Sequence, residues 1–237
     1  MADPFAAYPE LRPLIRDPSK SVLRNLYAVS KGKDGSNPSP PDPKRRSDEA
    51  REASRRVTLA GHTGDLWVFA YGSMMWDPAM DFAEVRRAWL PGHARRFILC
   101  DIYGARGTRE APGLMAALDR GDGCHGLAFR VPAERVEDEM RNLWAREMVL
   151  PSYVPRILPA DLDGESVMAL AFLADHDTDM IRGDLTREQQ VRYLATGTGF
   201  LGSSRDYLEI IALQFAALGI DDPEVSALMA DVRAFAP

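Results

Sequence analysis

An α+β fold on an antiparallel or mixed sheet or barrel is what the sequence predicts, on three observations. Short apolar, aromatic-rich runs of strand length follow one another from Leu66 onward. A single helical pattern interrupts them, between Pro132 and Met148, and the remaining helical patterns gather at the end of the chain, from Thr186 to Phe235. Strands neighbouring in sequence, with helices segregated, are the pattern of an α+β domain rather than of alternating βα units. With 237 residues and 46% hydrophobic content the chain can bury a sizeable core as one domain plus an extension.

The extension comes first. Residues 1–57 hold twelve Lys and Arg against eight Asp and Glu, a net +4, which leaves −10 for the rest of the chain. Leu14, Ile15, Leu23, Leu26 and Tyr27, within Leu11 to Val29, suffice for a short helix resting on the domain. The proline-rich stretch Ser36 to Arg46 has almost nothing to bury and reads as a linker. Residues 1–60 are therefore expected to be flexible or loosely packed and dispensable, and 61–237 to form the main domain. Leu66 to Tyr71, six apolar or aromatic residues, reads as a buried strand that breaks at Gly72-Ser73. Gly72 there permits a positive φ or a close backbone approach, and the following N–H groups can face an anion. Asp77 to Trp89 is expected to hold a short helix or loop, Arg95 to Cys100 a strand, and Gly104 to Thr108 a glycine-flanked loop. Strands follow at Gly113–Leu118 and His125–Val131 about a turn at Asp119–Gly123. Pro132 opens a helix, where its missing N–H costs little. Strands at Tyr153–Leu158 and Val167–Ala174 flank a turn at Asp161–Gly164. Helices close the chain at Thr186–Ala195, Asp206–Leu218 and Pro223–Phe235.

Composition excludes several functions. A net charge of −6 argues against a nucleic-acid-binding body, and no apolar run is long enough to cross a membrane. The N-terminus lacks the apolar core of a signal peptide. Cys100 and Cys124 form no CxxC pair and read as reduced core thiols, which fits a cytoplasmic protein. His62, His93, His125 and His176 are scattered without ligand spacing, so no metal site is expected. Gly197-Thr198-Gly199-Phe200-Leu201-Gly202 matches GxGxxG but follows a helix rather than a strand, and reads as a loop, not a dinucleotide site. Ser73 is followed by Met74-Met75 and lacks the nucleophile-elbow pattern.

One residue stands out. In the helix after Pro132, the residues Val136, Met140, Leu143 and Trp144 form one apolar stripe, and Glu147 falls on it. A carboxylate on an inward face must be paired, protonated or open to a cavity. Two bland outcomes are open, pairing with Arg146 or Arg156 and fraying of the helix before it. The functional outcome is a base in an apolar pocket with its pKa raised.

Val68-Phe69-Ala70-Tyr71-Gly72-Ser73-Met74-Met75-Trp76 resembles the V-F-x-Y-G-S-L-x-W signature of the ChaC-like γ-glutamylcyclotransferases. Four further segments match in order: Arg106-Gly107-Thr108 with Pro112-Gly113, Gly126 to Phe129, Arg146-Glu147, and Phe200-Leu201-Gly202 followed by Tyr207-Leu208. The resemblance implies a small mixed β-barrel with flanking helices. It also implies cleavage of glutathione to 5-oxoproline and Cys-Gly without metal or cofactor. Glu147 would be the acid/base, the turn Tyr71-Gly72-Ser73-Met74 would grip the glutamyl carboxylate, and Arg106 would add positive charge. A monomer acting on a small molecule is expected, with no nucleic-acid or membrane partner. Three departures stand against the family pattern. Met74 replaces a leucine, Met148 to Ser152 replaces the stretch between the base and Tyr153, and Phe172 stands where a tyrosine is common. The altered loop keeps open another γ-glutamyl amine or amino acid as substrate; the other alternative, a non-catalytic γ-glutamyl-binding module, has the intact Glu147 against it.

Overall fold

The computed structural model describes residues 3–21, 23–24 and 45–236. Five strands close into a barrel: β1 (Leu66–Ala70), β2 (Glu84–Asp101), β3 (Gly113–Val131), β4 (Tyr153–Leu162) and β5 (Glu165–Ala174). The order around the barrel is β1-β3-β2-β4-β5. All these neighbours are antiparallel, and β1 closes on β5 through a short parallel pairing, Trp67 with Ala169 and Val68 with Leu170. Five α-helices that lie wholly within the described residues surround the barrel: α1 (Asp48–Thr58), α2 (Ala133–Glu147), α3 (Arg187–Thr196), α4 (Ser204–Ala217) and α5 (Pro223–Ala234). The mixed barrel with flanking helices is thus as the sequence predicts. None of these helices is long and apolar enough to cross a membrane.

Phe69, Phe97, Phe129, Trp144 and Phe172 are all but fully buried in one core. Each such side chain contributes about 1.5–3 kcal/mol on removal from water. The two cysteines are free and buried. Helix starts are set locally. Thr186 with Gln189, and Ser203 with Asp206, form reciprocal capping boxes, while Asp222 accepts from the N–H groups of Glu224 and Val225. The β4–β5 turn is made by Asp163 and Gly164, both at positive φ (53° and 92°), the conformation a two-residue hairpin requires. The GxGxxG stretch is a loop between helices, a two-rung ladder of Thr198–Gly199 against Gly202–Ser203.

Three expectations are corrected. Asp77–Trp89 is not a helix or loop throughout, because β2 already begins at Glu84. Gly113–Leu118 and His125–Val131 are not two strands about a turn but parts of the continuous β3, paired with β2 from Asp101 to Glu84. The glycines between them serve close approach. A Cβ on Gly123 would stand 2.0 Å from the Trp89 ring and one on Gly121 2.4 Å from the Ala94 Cβ, where β2 itself slips register between Pro91 and His93. Up to Ser21 the extension holds two 3₁₀ turns, Pro9–Leu11 and Pro18–Lys20, in place of a helix running on from Leu11, and Leu23 and Arg24 are helical. Leu26, Tyr27 and most of the proline-rich stretch lie outside the described residues.

The described parts of the extension are tightly held. Leu11 and Ile15 are buried in the main core. Arg16 pairs with Asp77 at 2.9 Å, Arg24 with Glu139 at 2.7 Å and Arg55 with Glu137 at 2.7 Å. The basic extension therefore meets acidic groups of the domain, and Glu137 and Glu139 both belong to α2. The charge asymmetry between the two parts is a packing signal that low local hydrophobicity conceals.

Candidate active site

The site is built where the end of β1 meets the end of α2. Leu66 to Ala70 enters the barrel as a buried strand, and the chain leaves it through Tyr71 and Gly72 into a 3₁₀ turn, Ser73–Met75. Gly72 is at φ −135°, so a positive φ is not what requires glycine here. Close approach is. A Cβ on Gly72 would lie 2.4 Å from the Tyr207 hydroxyl oxygen on α4. Met74 is buried and serves the core.

Glu147 is the last residue of α2. Its side chain is 13% exposed, and the Arg146 Nε lies 2.7 Å from its Oε1, with Arg146 itself 7% exposed. Of the two bland outcomes, pairing with Arg146 occurs, whereas the helix does not fray before Glu147. Arg156 does not engage Glu147 and donates instead to the Pro155 carbonyl. The arginine does more than neutralise. Its Nη2 donates to Ser73 Oγ at 2.9 Å and its Nη1 to the Asp77 carbonyl. One guanidinium thus ties the carboxylate to the turn after β1, and Ser73, whose oxygen accepts that bond, keeps its own proton to donate. Burial pushes the Glu147 carboxyl above its ordinary 4.5, with Arg146 opposing the shift. Its place at the negative end of the α2 dipole acts in the same direction as burial.

Three tyrosines complete the surroundings. Tyr71 donates to the Phe172 carbonyl at 2.8 Å. Tyr153 lies close enough to Tyr71 for each phenol to affect the other's ionisation, and Tyr207 accepts from the Ala116 N–H at 3.3 Å. Burial raises all three phenols, that of Tyr207 to about 12, and the nearby Glu147 charge adds to each. They remain protonated donors at neutral pH. Phe172 packs edge-on against Trp144 with centroids 5.3 Å apart, so its ring belongs to the core, while its carbonyl anchors Tyr71.

Arg106 is brought near only through Tyr207. Its guanidinium lies over that ring, 5.0 Å from the centroid, and donates to the Ser203 carbonyl at 3.0 Å. Among the described residues no hydrogen bond or ion pair joins it to Glu147 or to the turn. Sequence reasoning missed Tyr153 and Asp77, and Arg95, which is buried and donates to the Tyr71 carbonyl at 2.7 Å while its Nη1 reaches Asp222 at 2.9 Å. No local pattern marks these, since each contributes through a backbone carbonyl or across the barrel. Tyr207 was visible only as part of a matched segment. A groove lined by Phe5, Ile15, Arg16, Phe82 and Arg135 lies at the opposite end of α2, about 18 Å from Glu147 at 1.5 Å per residue. Of its lining, Arg16 reaches Asp77 beside the site, and the rest lies apart from it.

Arrangement and fold define a class. The barrel is that of the γ-glutamyl cyclotransferases: a solved yeast γ-glutamyl cyclotransferase specific to glutathione superposes with a TM-score of 0.66 at 20% identity, over 73% of this chain and 97% of that one. Within that class, residues 66–235 match the model of the ChaC-like proteins, and the chain belongs to that family. It is similar to the glutathione-specific γ-glutamylcyclotransferase of Escherichia coli K12, with 36% identity over 79% of this chain and 82% of the relative. It is also similar to the glutathione-specific γ-glutamylcyclotransferase 1 of Danio rerio, with 30% identity over 71% and 91%.

Proposed function

We propose that the protein is a lyase that cleaves glutathione by cyclising its γ-glutamyl group, releasing 5-oxoproline and Cys-Gly. The observation that carries this reading is Glu147, a buried carboxylate of raised pKa tied through Arg146 to Ser73 in the turn after β1. The names of the relatives support the substrate. In the reaction the glutamyl α-amine attacks its own γ-carbonyl, the new C–N bond forms and the bond to the cysteinyl nitrogen breaks. Water is not consumed. The attacking nitrogen must lose a proton and the leaving nitrogen must gain one, so a single group of intermediate pKa serves both transfers. In this reading Glu147 is that group. Because nucleophile and electrophile are in one molecule, holding the glutamyl chain in a folded conformer carries much of the barrier.

The turn supplies the grip. The N–H groups that follow Gly72 and the Ser73 hydroxyl bind the glutamyl α-carboxylate, and the protonated hydroxyls of Tyr153 and Tyr207 are donors for the developing oxyanion, that of Tyr71 being given to the Phe172 carbonyl. Arg106 adds positive charge from behind Tyr207. The protein acts as a cytoplasmic monomer, without metal or cofactor. Incubating the purified protein with glutathione and quantifying 5-oxoproline tests the reading. Stoichiometric 5-oxoproline and Cys-Gly are expected. Release of free glutamate instead, or no turnover of glutathione alongside turnover of another γ-glutamyl amine, would overturn the substrate assignment.

A further inference from the structure

The loop that follows Glu147, Met148 to Ser152, departs from the family pattern, and it is held by a residue outside the family-matched region. Arg46 reaches it four ways. Its backbone N–H donates to the Val149 carbonyl at 2.9 Å, both terminal nitrogens lie 3.3 Å from the Tyr153 carbonyl, and Nη1 is 3.4 Å from Met148 Sδ. The Asp175 carboxylate stands 3.7 Å away as counter-charge, and the Asp175 N–H in turn holds the Ser152 carbonyl at 3.0 Å. Arg46 thus fixes the loop at both ends: where it leaves Glu147, and at Tyr153, whose phenol is near enough to that carboxylate to feel its charge.

Arg46 is itself held from behind. Its carbonyl accepts from Arg51 Nη1 at 3.0 Å, and Ser47 caps α1 through the Ala50 N–H. Helix α1 is seated on α2 by the fork of Arg55 on Glu137 (2.7 and 2.8 Å) and by the Trp144 indole N–H on Ser54 Oγ (3.2 Å). A rigid element therefore presents the guanidinium to the loop, which is the arrangement that holds a reacting group to tolerance.

We propose that Arg46 is a positioning residue for the cyclisation: by clamping the loop between Glu147 and Tyr153 it fixes the carboxylate and the tyrosine hydroxyl relative to each other. This rests on the reading of Glu147 as the group that transfers the protons. The guanidinium touches backbone and sulfur of the loop, not the turn that binds the glutamyl carboxylate, so its contribution falls on kcat rather than on KM.

The test uses the full chain as wild type, Arg46→Ala, Arg46→Lys and Glu147→Gln, with folding checked by circular dichroism and glutathione turnover followed across pH. Arg46→Ala is expected to lower kcat by about tenfold to a hundredfold with KM nearly unmoved. Its acid limb moves to lower pH, because the loosened loop admits water and relieves the burial that raises the carboxyl. Arg46→Lys, whose ammonium still reaches the Tyr153 carbonyl, is expected between the two in kcat and in limb. A folded Arg46→Ala with wild-type kcat and limb would overturn the proposal. So would an Arg46→Lys as slow as the alanine variant with an unmoved limb. Should Arg46→Ala not fold, the lysine variant decides: an intermediate kcat and limb support the clamp, wild-type values overturn it. Glu147→Gln keeps the two levels apart. If it retains turnover, the reading of the base fails; if it is inactive while both Arg46 variants behave as wild type, only the clamp fails.

Discussion

Helix α2 carries two inward carboxylates paired with arginine, Glu139 buried and Glu147 with its side chain 13% exposed, and only the second has the surroundings expected of a reactive group. Glu139 and Glu147 lie eight residues apart, about 12 Å along the axis. Burial raises the pKa of both, against the pull of Arg24 on one and Arg146 on the other. At Glu139 the arginine comes from the extension and also reaches Asp81 and the Ala79 carbonyl, and the Asp81 charge adds to the raised pKa. At Glu147 the arginine is the adjacent residue and is anchored to the β1 turn, and three tyrosine phenols feel the carboxylate charge. A raised pKa marks a buried carboxylate. What sets Glu147 apart is the tie through Arg146 to the turn after β1 and the three phenols that feel its charge.

The comparison breaks most sharply under substitution of the two carboxylates. Glu147→Gln is expected to lower kcat by about 10²–10⁴-fold with the fold intact, the range typical of a lost acid–base group. Steady-state kinetics on soluble, folded protein checks this. A near wild-type rate would make Glu147 a structural twin of Glu139.

Gly72→Ala comes next. The added methyl meets the Tyr207 hydroxyl at 2.4 Å, and relieving such an overlap typically costs about 1–3 kcal/mol. Because Tyr207 and the turn both belong to the site, the loss should appear in kcat/KM for glutathione as well as in the melting temperature. A variant that only melts earlier, with unchanged kinetics of its folded fraction, would make the turn a plain strand end.

Glu139→Gln should act on stability alone. The folded pKa of Glu139 is raised, so its stabilising contribution is complete below the unfolded value of 4.5 and is lost as pH rises through the folded pKa. A glutamine amide at that position has no proton to lose. The variant should therefore flatten the fall in melting temperature as pH rises from about 4.5 toward neutrality, with kcat unchanged. Melting curves across that interval, alongside turnover at neutral pH, decide it. Ser73→Ala is the smallest effect, about 1 kcal/mol in kcat/KM, since the backbone N–H stays and Arg146 keeps Glu147 and the Asp77 carbonyl. Abolished turnover there would point to a serine nucleophile.

The candidate base was legible because its signal is local. A carboxylate at helical spacing on an apolar stripe is visible within the one helical stretch, and so is an aromatic run ending in Gly-Ser. The C-terminal helices were legible for the same reason, through Thr186 and Pro223 at their starts. What escaped was non-local. The Asp119–Gly123 stretch carries every turn residue, yet β2 runs alongside it and turns those glycines into close contacts. Glu139 was not singled out in the sequence, because its partner Arg24 reaches it from 115 positions away. The extension looks unfit to fold because its attachment is made of arginines meeting acids and carbonyls of another part of the chain. Its share in the site, through Arg16 on Asp77 and Arg46 on the loop, has no signature in the residues themselves.

The most direct measurement of the central claim is the pH dependence of kcat/KM for glutathione in the wild type and in Glu139→Gln. Two raised carboxylates exist on α2, and only ionisation of Glu147 should control the chemistry. Both proteins are expected to show the same acid limb, lying above the ordinary glutamate value of 4.5. A limb at 4.5 or below in the wild type, or one that moves when Glu139 is replaced, would contradict the assignment of Glu147 as the proton-transfer group.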